Sequence, residues 1–382
     1  MDIATLEAAT AYFPLLGRPR PACPALDTRV REIADIARAA DQHGTRVLHD
    51  AAHVLNKAAL LASDSGRPDA ARRLCLQHLD LYRTANRPLT FAQARYMLEP
   101  VVNLARLHIR NGSPQPALRI LEALHNATTT GTDAFIEGRT LPLAHLTGTP
   151  QERNKLREWV WLQLLTDGLR ALVHDGQWID AAAFAEAHRG IGAHLLEGRQ
   201  VAIVAAYRSG DFDGARTLLH TSTVTEPWER QVASCLDVIC THTGGPPVRT
   251  AIATMLRTFG TGRPRAGYAA FRTRLGITVT ILASADGSTT VPAVLDQVAA
   301  EAIAAGDGYA ARDLLRPRHP AAAVTAPQRH ALESLLLASG LGCGSLPPPL
   351  QTDLDHAITT AATALTGSLR ASPPASRPSA AQ

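Results

Sequence analysis

The sequence predicts an all-α protein built from antiparallel helix pairs, and three observations support this fold class. Alanine accounts for 67 of the 382 residues, whereas aromatic residues make up only 4%. Alanine is the best helix former, and aromatic residues are among those that favour strands. Apolar positions recur at helical spacing along most of the chain. Glycine, proline and N-capping residues interrupt these runs at short intervals, as they do at turns between helices.

Helices and short turns alternate in the predicted order of elements. Most turns contain a glycine that can end one helix and a residue suited to begin the next. A loop rich in Thr and Gly is expected over 128–150. The segment 277–282 has strand-like residues, but it is interpreted as helix or irregular because a lone strand has no partner. The predicted helices cover 28–42, 46–65, 68–84, 91–110, 115–127, 155–174, 179–188, 194–208, 213–220, 248–258, 291–305 and 310–315.

Five helix pairs share a signature around their turn. A corner glycine is followed five residues later by alanine, a pairing that is frequent enough by chance to prove nothing alone. The flanking positions 11, 8, 7 and 4 before the glycine and 9 after it are more informative. Of these 25 positions 22 are apolar, against about 11–12 expected from the 46% apolar composition. Small or apolar residues there let two helices pack around a tight turn. The corners are Gly66/Ala71, Gly112/Ala117, Gly176/Ala181, Gly210/Ala215 and Gly306/Ala311.

This signature resembles the tetratricopeptide (TPR) repeat, a helix–turn–helix unit of 34 residues. Gly176 and Gly210 lie 34 residues apart, and an aromatic residue, Trp178 or Phe212, follows each of them two positions later. The other spacings differ, so the resemblance covers about half of the chain. It implies a right-handed superhelix of antiparallel helix pairs, a TPR-like α-solenoid with a concave groove. A generic antiparallel helical array without TPR descent has the same fold class.

Four parts are expected along the chain. Residues 1–26 form an N-terminal extension, and 27–242 form the TPR-like array. Residues 243–365 form a C-terminal helical region with one further repeat-like unit. The Ser-, Pro- and Ala-rich residues 366–382 are predicted to be a disordered tail.

Composition and missing motifs narrow the classes of function. The sequence contains no apolar run of the ~20 residues that a membrane span needs, and its N-terminus does not resemble a secretion signal. Five scattered cysteines suggest a reducing, cytoplasmic setting. A net charge of +4 does not favour direct nucleic-acid binding. There is no P-loop, nucleophile elbow or kinase motif, so no cofactor is expected and no catalytic residue is assigned.

Two clusters of residues of the types that bind metal ions each have two interpretations, as a metal site or as ordinary structure. His49 and His53 have the i, i+4 spacing that can hold a metal ion, but no third ligand follows at a known spacing, and an ordinary helix surface is the other interpretation. Cys235, Cys240 and His242 lack the second close pair of a structural zinc site. Buried thiols that pack as small hydrophobic groups are the alternative there. No metal site is predicted.

The concave groove is the predicted binding surface. If the TPR register holds, positions 13, 10, 6, 3 and 2 before each corner glycine line it. Arginine recurs at these positions and can bind carboxylates or phosphates bidentately. The alternative is a solvated face whose arginines pair with nearby acids. The residues at these positions include His53, Asn56, Glu99, Arg106, Arg110, Gln163, Thr166, Arg170, His174, Glu197, Gln200, Tyr207 and Arg208.

The leading functional hypothesis is a non-enzymatic binding or regulatory module that holds a peptide segment or a small acidic ligand. The resemblance adds a likeness to the sensor halves of bacterial transcription regulators. The alternative is a helical-scaffold enzyme of a specialised bacterial pathway, with a pocket within 153–242. A nucleic-acid-binding array is a third hypothesis, and it would need a continuous arginine stripe. The enzyme pocket would be lined by Arg170, His174, Trp178, Arg199 and Gln200, and this adds Arg199 to the candidate binding residues.

Overall fold

A computed structural model describes residues 3–41, 46–83, 88–241, 246–284, 291–316 and 324–371. Within these ranges the chain forms seventeen helices and one short hairpin, which confirms the predicted all-α class. None of the described helices combines the length and the apolarity that a membrane crossing requires. In chain order the elements are α1 Ile3–Thr10, α2 Leu26–Asp41, α3 Val47–Asp64, α4 Pro68–Arg83, α5 Phe91–Arg110, α6 Pro114–Thr130, β1 Ala134–Ile136, β2 Arg139–Leu141, α7 Pro150–His174, α8 Trp178–Ala187, α9 Glu197–Arg208, α10 Phe212–His220, α11 Pro227–Cys240, α12 Pro246–Gly260, α13 Ala269–Ser284, α14 Val291–Ala305, α15 Gly308–Leu314, α16 Ala326–Ser339 and α17 Pro348–Ala371.

All five predicted corners are tight turns of one kind. Each corner glycine has a positive φ, a conformation that glycine adopts without steric cost. The residue after the glycine donates its N–H to the carbonyl four residues before the glycine, with N···O distances of 2.9 to 3.5 Å. This is the Schellman arrangement that ends a helix. The alanine five residues after each glycine is 0% exposed, so the signature marks a repeated helix-pair geometry.

The hairpin β1–β2 replaces part of the loop that the sequence predicts over 128–150. Its strands pair antiparallel, with Ile136 opposite Arg139. Glu137 and Gly138 between them have φ values of 50° and 76°, as a two-residue type I′ turn requires. The sequence prediction missed this hairpin because Glu-Gly is a weaker turn signal than Asn-Gly or Asp-Gly.

The described residues fall into two units, and each unit is built from separate stretches of chain. Unit 1 takes its residues from Met1–Ala25 and Leu172–Ser339, and unit 2 from Leu26–Ala171 and Gly340–Gln382. The unit borders therefore follow residues 25, 171 and 339, whereas the sequence prediction placed borders after 26, 242 and 365. The predicted border after 242 lies within the range of unit 1.

In unit 2, helices α2 to α6 each pack on the next one in sequence, and α17 packs on α2 and α3. The loop before α17 is fixed to the end of α3, because Gly342 N–H donates to the Asp64 carbonyl at 2.8 Å. The prediction of a disordered tail from 366 is wrong for residues 366–371, which lie in α17. Helix α17 continues to Ala371, since its apolar period extends through the buried Leu365 and Leu369. Residues 372–382 lie outside the described residues.

In unit 1, α9 packs on both α8 and α10, and α13 contacts α1, α11, α12, α14 and α15. Almost every residue of α13 is buried. The segment Ile277–Leu282 lies within this helix, in agreement with the helical interpretation. Its β-branched residues are tolerated there because burial on all sides outweighs their weak preference against helices.

Candidate functional site

Seven polar side chains on α3, α5 and α7 form one connected hydrogen-bond network in unit 2, which we call the polar ladder. Four of them were predicted from the TPR register as binding residues, and a fifth lies at a groove position. Hydrogen bonds therefore bring these five residues together in unit 2. Its members are Asn56, Glu99, Asn103, Arg106, Gln163, Asp167 and Arg170.

Arg106 is the centre of the ladder. Its Nε and Nη2 lie 3.0 Å and 2.9 Å from Oδ2 of Asp167. The same guanidinium donates from Nη1 to Oδ1 of Asn103 at 3.2 Å and from Nη2 to Oε1 of Gln163 at 3.1 Å. These bonds fix the orientation of the Arg106 side chain between α5 and α7.

The buried carboxylate of Asp167 forms salt bridges with two arginines. Its side chain is 0% exposed, while those of Arg106 and Arg170 are 40% and 53% exposed. Arg170 donates to Oδ1 of Asp167 at 3.0 Å. At this end of the ladder one buried negative charge faces two partly exposed positive charges, which can attract carboxylates or phosphates. With Glu99 at the other end, the formal charges of the seven side chains sum to zero.

The far end of the ladder joins α3 to α5. Asn56 donates from Nδ2 to Oε2 of Glu99 at 2.7 Å and accepts from Asn103 at 3.3 Å. Burial raises the pKa of Glu99, although the nearby Arg95 and Arg106 oppose that rise. The predicted residue Arg110 lies apart from these bonds, since it pairs with Asp64 at 3.2 Å near the end of α3.

Unit 1 holds an extended stretch of its own chain against α9. We call residues 11–25, which connect α1 to α2, the strap. Leu15 of the strap donates its N–H to Oε1 of Gln200 at 2.8 Å, and Nε2 of Gln200 donates to the Leu15 carbonyl at 2.8 Å. The same Nε2 donates to the carbonyl of Leu195 at 2.9 Å. A buried side-chain amide of α9 thus pairs with both polar groups of a main-chain residue.

Two further contacts show the direction in which the N-terminal stretch runs along α9. Arg18 of the strap forms a salt bridge with Glu197 at 2.9 Å. Glu7 in α1, which precedes the strap, lies 3.8 Å from Arg208. The N-terminal stretch therefore runs antiparallel to α9 and contacts positions that the TPR register assigned to the groove.

Several predicted binding residues have partners within the chain. Gln200 is 0% exposed and Tyr207 is 8% exposed, so neither side chain lies on an exposed surface. Tyr207 packs edge-on against Phe212 at 5.1 Å, and burial raises its pKa. Arg199 donates to the Leu218 carbonyl at 2.8 Å, near the end of α10. His174 is exposed at the end of α7.

The two candidate metal clusters have other surroundings. The rings of His49 and His53 stack with centroids 5.9 Å apart, and burial together with Lys57 lowers the pKa of His53. Burial raises the pKa values of Cys235 and Cys240 to about 12, in keeping with thiols that pack as hydrophobic groups. His242 lies outside the described residues. Among those that are described, no three His, Cys, Asp or Glu side chains converge.

A cleft of about 500 Å³ lies in unit 2. Asp80 within it binds Arg139 through two N–H···O bonds of 2.9 Å, and this pairing lowers the pKa of Asp80. With three arginines and one carboxylate, the lining carries a positive excess that suits an anion. The cleft is lined by Arg73, Leu76, Gln77, Asp80, Leu81, Arg139, Thr366 and Arg370.

Sequence reasoning missed Asn103, Asp167 and the strap. Asn103 and Asp167 each lie three residues before a predicted arginine, Arg106 or Arg170, so an i, i+3 rule could have found them. The strap gives no comparable signal. Its hydrogen bonds to α9 and to Asp307 join residues 179 to 284 positions apart, and its own sequence shows no helical or strand periodicity.

Comparison with known proteins adds little to this description. The chain matches no protein-family model and no curated protein sequence. It shows a likeness to a solved structure described as a circular tandem repeat protein with novel repeat topology and enhanced subunit contact surfaces. The two are 15% identical, with a TM-score of 0.18, over 89% of this chain and 84% of the other. The helical-repeat class rests on the five matching corners within this chain.

Proposed function

We propose that this protein is a non-enzymatic, TPR-like binding module that holds an extended peptide segment against the first helices of its helix pairs. One observation carries the proposal. Gln200 lies ten residues before the corner Gly210, at a position that the TPR resemblance assigns to the groove, and it binds the main chain of Leu15 through 2.8 Å hydrogen bonds. A side-chain amide placed in this way can hold an extended backbone whatever its side chains are.

The polar ladder offers the same kind of groups in unit 2. Asn56 lies ten residues before its corner glycine and Gln163 thirteen before its own, while Arg106 and Arg170 each lie six before theirs. Two amides can bind a main chain, and two partly exposed guanidinium groups can bind carboxylates. We therefore propose that the partner of the ladder is an extended, acidic peptide segment.

The enzyme alternative receives no support from the contacts of its predicted pocket. Trp178 and Gln200 are buried, and Arg199 is bound to the end of α10. Arg170 belongs to unit 2, and it is paired with Asp167. We propose a cytoplasmic location on the sequence evidence of few and scattered cysteines.

A peptide-display selection against the purified full chain tests the proposal. We expect enrichment of unstructured peptides rich in Asp and Glu, with binding confirmed by fluorescence anisotropy. The double variant Arg106→Gln/Arg170→Gln keeps donors near Asp167 but removes both charges. It should weaken binding at least ~10-fold, because hydrogen bonds to charged groups contribute about 1.5–3 kcal/mol each.

A matched control removes the same charge elsewhere in unit 2. Arg119 on α6 and Arg157 on α7 are exposed, and the variant Arg119→Gln/Arg157→Gln should bind the selected peptides as the wild type does. The proposal is wrong if no acidic peptide is enriched, or if the control variant loses as much affinity as the ladder variant.

A further inference from the structure

We propose that the groove of unit 1 is a specific receptor for an extended basic peptide and that the strap is its resident ligand. A partner segment with the same pattern, Leu-x-Gly-Arg-x-Arg as in residues 15–20, would compete with the strap for this groove. The inference rests on the proposed function, since it names the ligand class for the peptide-binding face of unit 1.

The main chain of the strap is held at several points along its length. Beyond the Gln200 contact with Leu15, Arg20 donates its N–H to the Gly267 carbonyl at 2.7 Å. Cys23 donates its N–H to Oδ1 of Asp307 at 3.0 Å and accepts from the N–H of Gly308 at 2.9 Å. These partners come from α9, from the turn before α13 and from the start of α15. The strap is thus bound as an extended peptide across several elements of unit 1.

Two apolar contacts explain the Leu and Gly of the pattern. Leu15 is 2% exposed, so a buried aliphatic side chain is required at that position. A Cβ on Gly17 would lie only 2.2 Å from Cγ of Trp228. The indole therefore leaves no space for any side chain at position 17, which makes glycine the residue that fits.

Two cation contacts explain the arginines. Arg18 pairs with Glu197 at 2.9 Å, and the Glu197 side chain is only 10% exposed. The guanidinium carbon of Arg20 lies 3.9 Å from the ring centroid of Tyr309, a cation–π contact that arginine makes well. Four positions of the strap, three side chains and one glycine, are therefore constrained by their surroundings in unit 1.

The connection to α2 affects how exchange must be measured. A tethered ligand acts at an effective concentration in the millimolar range, so a free peptide cannot readily displace it. Cleaving the main chain between the strap and α2 removes this advantage for the fragment of residues 1–25, in which α1 stays joined to the strap and packs on α13. Every residue of the protein stays present.

The test inserts a specific protease site after Ala25 in the full chain and then cleaves it. We expect the N-terminal fragment to co-elute with the remainder. A labelled synthetic peptide of residues 1–25, which includes α1 as the fragment does, should then exchange into the groove. A peptide with Gly17→Val, or one with Arg18→Glu, should compete at least tenfold less well, and a scrambled peptide of the same composition should not compete.

Hydrogen exchange of helices α9 to α15 during the same assay reports whether unit 1 stays folded when the fragment leaves. The inference is overturned if excess peptide never exchanges with the fragment, or if unit 1 unfolds once the fragment is displaced. It is also overturned if the Gly17→Val peptide competes as well as the native one. Binding of acidic peptides to the ladder is read separately through Arg106 and Arg170, so the two proposals can fail independently.

Discussion

Individual buried polar residues determine where distant segments lie in each unit. Gln200 and Asp167 are both 0% exposed, and each one satisfies several groups on other elements. The direct cost of losing such a residue is large, because it leaves buried donors or acceptors without partners. The sequence alone does not show that Gln200 is buried, because polarity does not distinguish an exposed amide from one that binds a buried main chain.

Replacing Gln200 with alanine should destabilise unit 1. The N–H and carbonyl of Leu15 and the carbonyl of Leu195 would lose their partner, for an expected loss of about 3 kcal/mol in the free energy of unfolding. Urea unfolding followed by circular dichroism measures this loss. Gln177→Ala is the matched control, because the side-chain amide of Gln177 donates to an exposed carboxylate, that of Asp175, and its loss should cost under ~0.5 kcal/mol. Equal losses for both variants would contradict the role of Gln200.

His78 should make unit 2 sensitive to acid. Both ring nitrogens are buried without a hydrogen-bond partner in the described structure, and burial lowers its pKa from 6.5 to about 3. The unfolded chain therefore binds a proton below about pH 6.5 while the folded chain does not. Stability should fall progressively between pH 6.5 and 3, by about 2 kcal/mol at pH 5.

The variant His78→Leu removes this proton uptake and keeps an apolar group of similar size. The free energy of unfolding of each protein is measured in urea at pH 7.5 and at pH 5. The loss of stability between these pH values should be about 2 kcal/mol smaller for the variant than for the wild type. If both proteins lose the same stability on acidification, the claim that His78 stays buried and neutral in the folded protein is wrong.

Among elements, the corner between two helices is the part of the fold that the sequence predicts best. Five glycines with apolar neighbours at fixed offsets marked five turns, and all five have the same hydrogen bond. The hairpin at 134–141 and the last turns of α17 were not predicted. Their signals are weak, since Glu-Gly rarely marks a turn and the residues after 371 resemble a disordered tail. The strap was missed because only tertiary contacts order it.

Two glycine substitutions with opposite expected effects on stability test the corner geometry. An added Cβ meets no heavy atom within 4 Å at either Gly112 or Gly367. Gly112 has a φ of 68°, so Gly112→Ala should cost about 1 kcal/mol of stability through backbone strain. Gly367 lies inside α17, where Gly367→Ala should add about 0.5–1 kcal/mol. Thermal unfolding of both variants provides the measurement, and a stabilising Gly112→Ala would contradict the turn geometry.

On the scale of the whole molecule, the chain contributes separate stretches to each unit. Helix α17 near the C-terminus packs on α2 and α3 in unit 2, while the strap near the N-terminus belongs to unit 1. No sequence pattern predicts that the strap belongs to unit 1 and α17 to unit 2, because this depends on contacts between residues hundreds of positions apart. The ladder was partly predictable, since the TPR register brought Asn56, Arg106 and Arg170 to one face.

A substitution of a buried residue in α17 should show which helices are destabilised together with it, and so which belong to unit 2. Leu365 is 0% exposed, and Leu365→Ala should cost about 2–5 kcal/mol. Amide hydrogen exchange should then accelerate across 26–171 and in α17, while the helices between 178 and 339 keep their wild-type rates. Faster exchange confined to α17 would contradict the assignment of that helix to unit 2.

Amide hydrogen exchange of the strap is the most direct test of the claim that a first-helix face holds an extended peptide. In the wild-type chain, the amides of Leu15, Arg20 and Cys23 should be protected like those of α9, because each one donates to a partner within 3.0 Å. Gln200→Ala should remove protection from the strap before it affects the helices. Strap amides that exchange in the wild type as fast as those of an unstructured peptide would contradict the account.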